Sequence, residues 1–371
     1  MTTRFMRGLA DAVGLTLTEA TPKPIRQTRA APEPRNQRVQ SLPAMVGQDE
    51  ARITLRVQIQ GARKRRVHPG NILLFGPPGL GKTTLAEIVA YETGGNLHRA
   101  VGSQLNTADV LAQTLVGPNG LSRKKMDVLF IDEIHAMPKK IQELLYLVLE
   151  DGRLDMRVGQ GADAVLKSIP VPDHILVGAT TLPGWLEEPF RARFQTHLSL
   201  EYYTDAELTK IIHGAAEKAV VLIEDDAAAM LGARSRGTPR TALALLESSA
   251  NYAAALSDGI VTTDVVEKAL KLANIDSLGL NKDDRALLHT LCVRFRGQPI
   301  GVANLAATLG VDEKTLTGQI EPYLIRSHLI TRTRRGRKAL EMAYLHLELD
   351  PPFDFDDDAV GVGAGWEDRG G

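Results

Sequence analysis

The most specific chemistry in this chain is carried by eight residues lying between an apolar run and a helix-patterned segment. Gly76 to Thr83, GPPGLGKT, follows the spacing G-x-x-x-x-G-K-T, in which backbone N–H groups wrap a triphosphate and a lysine reaches its outer phosphates. The residue types have separate reasons. Gly76, Gly79 and Gly81 allow backbone conformations that a side chain obstructs. A helix beginning near Lys82 aims its positive end at the anion, Lys82 supplies a point charge, and Thr83 can give a hydroxyl to Mg²⁺. ATP with Mg²⁺ is the expected ligand.

A second group of residues suits the same ligand. In Asp127 to His135, DVLFIDEIH, four apolar residues run into two acids, as in a buried parallel strand that delivers carboxylates at its C-terminal end. Asp132 is expected to hold the Mg²⁺ shell, and Glu133 to orient and deprotonate the attacking water.

These groups need a frame. Asn71 to Phe75, Asn96 to Val101, Asp127 to Asp132 and His174 to Thr180 read as strands. Helical patterns lie between them, over Leu42–Arg63 after the Gly47-Gln48 turn, from Lys82 to the Gly94-Gly95 stop, over Thr107–Val116, and over Pro138–Glu150. Strands alternating with helices, with chemistry at the strand ends, predict a parallel sheet covered on both faces. Arg153 to Val158 and Val165 to Val171 read as a hairpin around Gly159–Asp163. From Tyr203 to Ala273 the pattern is nearly all helical, with breaks near Val221–Asp225, Gly237–Pro239 and Asp258–Thr263. A third unit spans 276–348. In it, Gly301–Leu309 and Asp312–Ile325 read as helix-turn-helix, and Leu329–Tyr344 as two β-like arms around Arg334–Lys338. The expected division is thus a tail over 1–37, an α/β domain over 38–202, a helical domain over 203–275, a winged helix over 276–348 and an acidic tail over 349–371.

Bulk properties narrow the class. The chain has 371 residues, 43% of them apolar, enough for several cores. No run approaches the ~20 apolar residues of a spanning helix, and Met1–Ala20 lacks the apolar block of a secretory signal. Cys292 is the single cysteine, so no internal disulfide or cysteine-based zinc cage can form, which fits a reducing, cytoplasmic setting. The formal net charge is −1, yet basic residues gather at 63–66 and 332–338, and aspartates at 354–358.

With these motifs in place, the chain resembles the RuvB family, the AAA+ motor ATPases of Holliday-junction branch migration. The resemblance is carried by VGQ at Val46–Gln48, FGPPGLGKTTLA, DVLFIDEIH, LEDGRLD at Leu149–Asp155, GATT at Gly178–Thr181, PFRARF at Pro189–Phe194, GTPR at Gly237–Arg240, EPYLI at Glu321–Ile325 and RTRRGR at Arg332–Arg337. It implies that Arg38 and Tyr203 border the nucleotide base and that Thr84, Glu150 and Asp151 also contribute to the nucleotide site. It further implies that Thr181 is the first sensor, Arg240 the second, and Arg193 a finger reaching the neighbouring subunit's γ-phosphate. Arg332 and Arg337 match the family's DNA contacts. The implied partners are double-stranded and four-way junction DNA, a homo-hexameric ring and a RuvA-like junction-binding protein. The chain departs from the family pattern in four places: Leu182 follows GATT where arginine is common, TALALLESSA after GTPR lacks the usual basic residues, RTRRGR replaces the more usual RTPRGR, and Lys167 stands on the hairpin where an apolar contact is expected. The competing reading is an AAA+ loader that assembles another protein on DNA without translocating; a regulator reading an operator is a third.

Overall fold

The computed structural model describes residues 41–122, 125–158 and 165–351. Arg38, the expected N-terminal tail, residues 352–371 of the expected acidic tail and the hairpin loop Gly159–Asp163 lie outside the described residues. In chain order the first strands are β1 (Ile72–Phe75), β2 (Leu97–Val101), β3 (Asp127–Asp132), β4 (Arg153–Val158), β5 (Val165–Pro170), β6 (His174–Thr180) and β7 (Thr196–Ser199). Five of them form one sheet in the order β2-β3-β6-β1-β7, parallel throughout, while β4 and β5 pair as the expected antiparallel hairpin.

Two-residue periodicity divides the sheet between two cores. Ile72, Leu74, Val128, Phe130, Ile175 and Val177 face the helices Asp49–Arg65 and Lys82–Thr93, which contribute Leu55, Ile59, Leu85 and Ile88. Their neighbours Leu73, Leu129, Ile131 and Leu176 point to the other face, against Leu111, Leu115, Leu145 and Val148 of the helices Ala108–Val116 and Lys139–Asp151. Burial on both faces is why β3 and β6 read as continuous apolar runs. The register pairs Phe75 with Thr180 and Ile131 with Gly178, so the phosphate loop, Asp132 and Thr180 leave the sheet along one edge. No apolar run or alternation marks β7, an edge strand of sequence THLS that buries only Leu198.

Four helices follow, Asp205–Ala219, Asp225–Ala233, Pro239–Leu256 and Thr263–Leu272. Threonines start three of them. Thr204 forms a capping box with Glu207, and Thr238 and Thr262 accept the N–H groups of Thr241 and Val265, each cap contributing about 1 kcal/mol. Two of the expected breaks carry short parallel strands, β8 (Leu222–Ile223) and β9 (Ile260–Val261). The buried side chains of this helical unit, among them Leu208, Ile212 and Val266, are continuous with those on one face of the sheet.

The C-terminal unit has a separate core built on Leu287, Leu291, Leu305, Leu324 and Ile330, with Cys292 inside it. Its helices include Lys282–His289 and Val302–Leu309, and β10 (Ile330–Thr333) pairs with β11 (Gly336–Ala339) to make the wing. This unit departs from the expected pattern in two places. The second β arm ends at Ala339, and Glu341–His346 is a helix rather than strand. The run Asp312–Ile325 is also not one uniform helix. Leu316–Ile320 is a π turn, with the Glu321 N–H returning to Leu316, five residues back. Pro322 lacks the N–H that an α-helix would direct at Gly318, and its ring crowds that carbonyl, so the wider turn relieves both defects. Glu321 is thereby carried into the core.

This unit is fixed to the helical one by Arg236 and Arg326. Arg236 pairs with the buried Asp284 and donates from Nε to Gly279 O at 2.7 Å. Arg326 donates from Nη2 to Arg236 O at 2.6 Å and lies 3.5 Å over the Tyr202 ring.

Candidate active site

At the end of β1 the chain turns sharply over the sheet. Gly76 and Gly79 have φ of 139° and 83°, and both are closely approached: a Cβ on Gly76 would lie 2.6 Å from Leu200 O, and one on Gly79 3.1 Å from Arg240 Cβ. The loop therefore exists only with glycine at these points. Lys82 opens the following helix and is only 8% exposed, with Nζ donating to Gly76 O at 2.7 Å and Pro77 O at 2.9 Å. Burial lowers its pKa. Asp132 and Glu133 act in the opposite direction, and Arg240 lowers it further. Such a cation, held against backbone carbonyls beside a helix N-terminus, suits a polyphosphate. Thr83 and Thr84 are half-buried on the first helical turn. Asp132 and Thr83 offer one carboxylate and one hydroxyl, the hard oxygens Mg²⁺ takes alongside phosphate and water.

At the end of β3, Asp132 Oδ1 accepts the Glu133 N–H at 3.0 Å. Glu133 itself sits at φ 48°, a left-handed conformation that costs a non-glycine residue about 1–2 kcal/mol and concentrates at functional sites. Its carboxylate Oε2 lies 3.3 Å from His135 Nδ1, which is 2.8 Å from the hydroxyl of Thr180 at the end of β6. Thr181, the expected sensor, follows as a half-buried residue. Neither His135 nor Thr180 stands out by motif or spacing; the histidine in DEIH was the one available signal.

The helical unit closes the other side. The Tyr203 hydroxyl donates to Leu80 O at 3.3 Å and its N–H to Gly237 O at 2.9 Å. Burial pushes this phenol up to about 12. The Arg240 N–H donates to Gly79 O at 3.4 Å, bringing the start of helix Pro239–Leu256 to the phosphate loop with the Arg240 side chain exposed. Gln48 of the VGQ turn holds the sheet exit by exchanging hydrogen bonds with Glu201, at 2.7 Å to O and 3.2 Å from N.

Arg193 belongs to a different cluster. Phe190 and Phe194 are buried and meet edge to face at 5.4 Å, anchoring the segment that presents Arg193 outward. Its Nη2 donates to the Tyr146 hydroxyl at 2.8 Å and pairs with Glu150 Oε2 at 2.9 Å, while Nε is buried without a hydrogen-bond partner. The Tyr146 hydroxyl pushes its pKa above the ordinary arginine value; burial opposes this and Glu150 adds to it. Glu150 thus sits with the expected finger, and Asp151 follows it, exposed, at the helix end.

In the wing, Arg332 and Arg337 both bond Glu321. Arg332 Nη2 and Arg337 Nε each lie 2.7 Å from its carboxylate, which is fully buried. The Arg332 side chain is 51% exposed and that of Arg337 only 16%. Arg334 and Arg335, in the turn between β10 and β11, are exposed.

Comparison with known proteins gives a consistent result along the chain. Residues 37–200 match the Holliday junction DNA helicase RuvB P-loop domain, 203–276 the RuvB AAA lid domain and 277–348 the RuvB C-terminal winged helix domain. The Holliday junction branch migration complex subunit RuvB of Thermotoga petrophila is 42% identical over 85% of this chain and 93% of its own length. Its counterpart from Corynebacterium aurimucosum is 42% identical over 86% and 87%. The solved structure of the Thermotoga maritima RuvB Holliday junction branch migration motor superposes with a TM-score of 0.73 at 40% identity, over 85% of this chain and 99% of that one.

Proposed function

Since the chain belongs to the RuvB family, we propose that it is an ATP-driven motor that moves four-way DNA junctions. The observation that carries this reading is the convergence of Lys82, Asp132, Glu133 and Arg240 on one glycine-shaped cradle, in a chain whose C-terminal unit is a winged helix. Lys82 and the N–H groups of the loop bind the β- and γ-phosphates. Thr83 and Asp132 hold Mg²⁺, which when bound neutralises charge building on the transferred phosphoryl group. Glu133 accepts a proton from the attacking water, with Thr181 as the first sensor.

Arg193 is held by Tyr146 and Glu150 rather than by Lys82, Asp132 or Glu133, which supports its use as a finger supplied in trans to a neighbouring subunit. Leaving Glu150 for the neighbour's γ-phosphate, it stabilises the transition state and makes turnover depend on subunit arrangement. The assembly is a homo-hexameric ring in the cytoplasm, working with a RuvA-like partner on the junction. The winged helix holds duplex DNA through phosphates, a sequence-tolerant and salt-sensitive contact suited to a motor.

The test is steady-state ATPase with four-way junction, plain duplex or no DNA, each with and without RuvA, alongside junction migration. Continuing hydrolysis stimulated by the junction and coupled to its movement is the expected result. A single turnover, or turnover indifferent to DNA, would return the loader reading.

A further inference from the structure

His135 lies two residues beyond Glu133, on the single helical turn Ile134–Ala136, and its ring is confined. Nδ1 is 2.8 Å from Thr180 Oγ1 and 3.3 Å from Glu133 Oε2, and the Trp185 ring stands edge-on with centroids 6.2 Å apart. The two oxygens beside Nδ1 bear on where the ring proton sits. Thr180 is fully buried, and its Oγ1 already accepts the Leu182 N–H at 2.9 Å. If the hydroxyl donated to Nδ1, the bare lone pair of that nitrogen would share its space with the Glu133 carboxylate, acceptor against acceptor. A proton on Nδ1 removes the conflict with the carboxylate, because one N–H then faces both the hydroxyl oxygen and the carboxylate, and the Thr180 O–H must turn to another acceptor. The tautomer is assigned by this network.

We infer that His135 is a positioning residue for Glu133: its Nδ1–H ties the carboxylate to Thr180, across from the end of β3 to the end of β6. The inference rests on Glu133 being the base. The Glu133 backbone is already fixed by its left-handed φ and by Asp132, but its side chain is 43% exposed and has several rotamers open to it. His135 selects among these, and Thr180, through His135, sets the selection by the position of a neighbouring strand. The strand that ends in Thr180 continues directly into Thr181 and the exposed Leu182. A shift there therefore reaches the base through the Thr180–His135 hydrogen bond and the 3.3 Å contact between His135 and Glu133.

Misplacing a base costs rate while leaving ground-state binding intact. In the full-length protein, His135→Ala should lower kcat roughly tenfold, with the Kd for a fluorescent ADP analogue unchanged within about twofold. His135→Asn should recover most of that rate, because its amide N–H can approach the same two acceptors. Thr180→Val should lower kcat in the wild-type background and add no further loss to His135→Ala. A readout independent of turnover comes from selectively ¹⁵N-histidine-labelled protein, with the signal assigned through His135→Asn. Nδ1 of His135 should carry a proton, and a ring protonated only at Nε2 overturns the inference. So does a His135→Ala protein that turns over like wild type while Glu133→Gln is inactive. Should Glu133→Gln itself hydrolyse ATP at the normal rate, the premise about the base falls instead, and the two failures remain distinct.

Discussion

Two arginine–glutamate clusters in this chain are built in opposite ways. At the edge of the ATPase unit, Arg193 meets Glu150 with 33% and 43% of the two side chains exposed. In the wing, Arg332 and Arg337 meet a carboxylate, Glu321, that water does not reach. An exposed pair is worth about 0–1 kcal/mol, so on the proposed reading Arg193 can give up Glu150 for a phosphate at little cost to that pair, while Tyr146 holds its other contact. Removing one partner from a buried pair costs about 3–5 kcal/mol, which keeps Arg337 in place. The first cluster is arranged for release and the second for permanence, although both read as functional arginines in sequence. In the wing, Arg334, Arg335 and the outer part of Arg332 are exposed and on the proposed reading follow the DNA backbone, while Arg337 holds the strand that carries them.

The largest effect should come from the loose cluster. Arg193→Ala is expected to lower kcat by about 10³-fold or more, as loss of an arginine finger does, with little change in melting temperature. A destabilised Arg193→Ala protein would place Arg193 in the firm class and break the comparison. Glu321→Ala should do the reverse. Two guanidinium groups lose their buried partner, and the winged helix should lose about 3 kcal/mol in chemical denaturation, while DNA-independent ATPase stays near wild type. Smaller again is the effect of Arg334→Ala or Arg335→Ala. Each should weaken duplex binding to a similar extent for any sequence and reduce the salt dependence by about one counterion, as read from titrations at several ionic strengths.

Asp127 sharpens the comparison further, as a buried carboxylate without an arginine. It accepts the N–H groups of Asn96 and Ser122 at 2.8 Å each and lies 2.9 Å from His98 Nε2. Burial alone would raise its pKa, but these hydrogen bonds outweigh it and hold the carboxyl below the ordinary 3.8. A depressed folded-state pKa means stability that is complete above the unfolded value, near ~4, and is lost as pH falls through the folded one. Melting temperature should therefore decline below about pH 4, and Asp127→Asn should flatten that part of the profile. A slope unaltered by the substitution would count against the assignment.

Much of this was legible in the sequence, for identifiable reasons. Strands β1, β3 and β6 are buried on both faces and so appear as unbroken apolar runs, and the phosphate loop needs glycines at fixed spacing. The edge strand β7 was not legible, because a strand paired on one side with a single buried leucine leaves almost no periodic trace. The π turn before Pro322 was also hidden. Proline announces a disturbed helix but not that the disturbance turns Glu321 inward. Arg193 could be picked out by its motif, but its contacts to Tyr146 and Glu150, 47 and 43 positions earlier, belong to the folded chain alone. The same holds for His135 and Thr180, brought together across 45 residues by the pairing of β3 with β6.

The central claim is that one subunit grips the triphosphate and its neighbour triggers hydrolysis. The direct measurement is ATPase activity across mixing ratios of Lys82→Ala protein with Arg193→Ala protein, each inactive by itself. Mixed assemblies pair an intact cradle with an intact finger, so activity should return and peak at intermediate ratios. No recovery at any ratio, in assemblies shown to contain both proteins, would contradict the account.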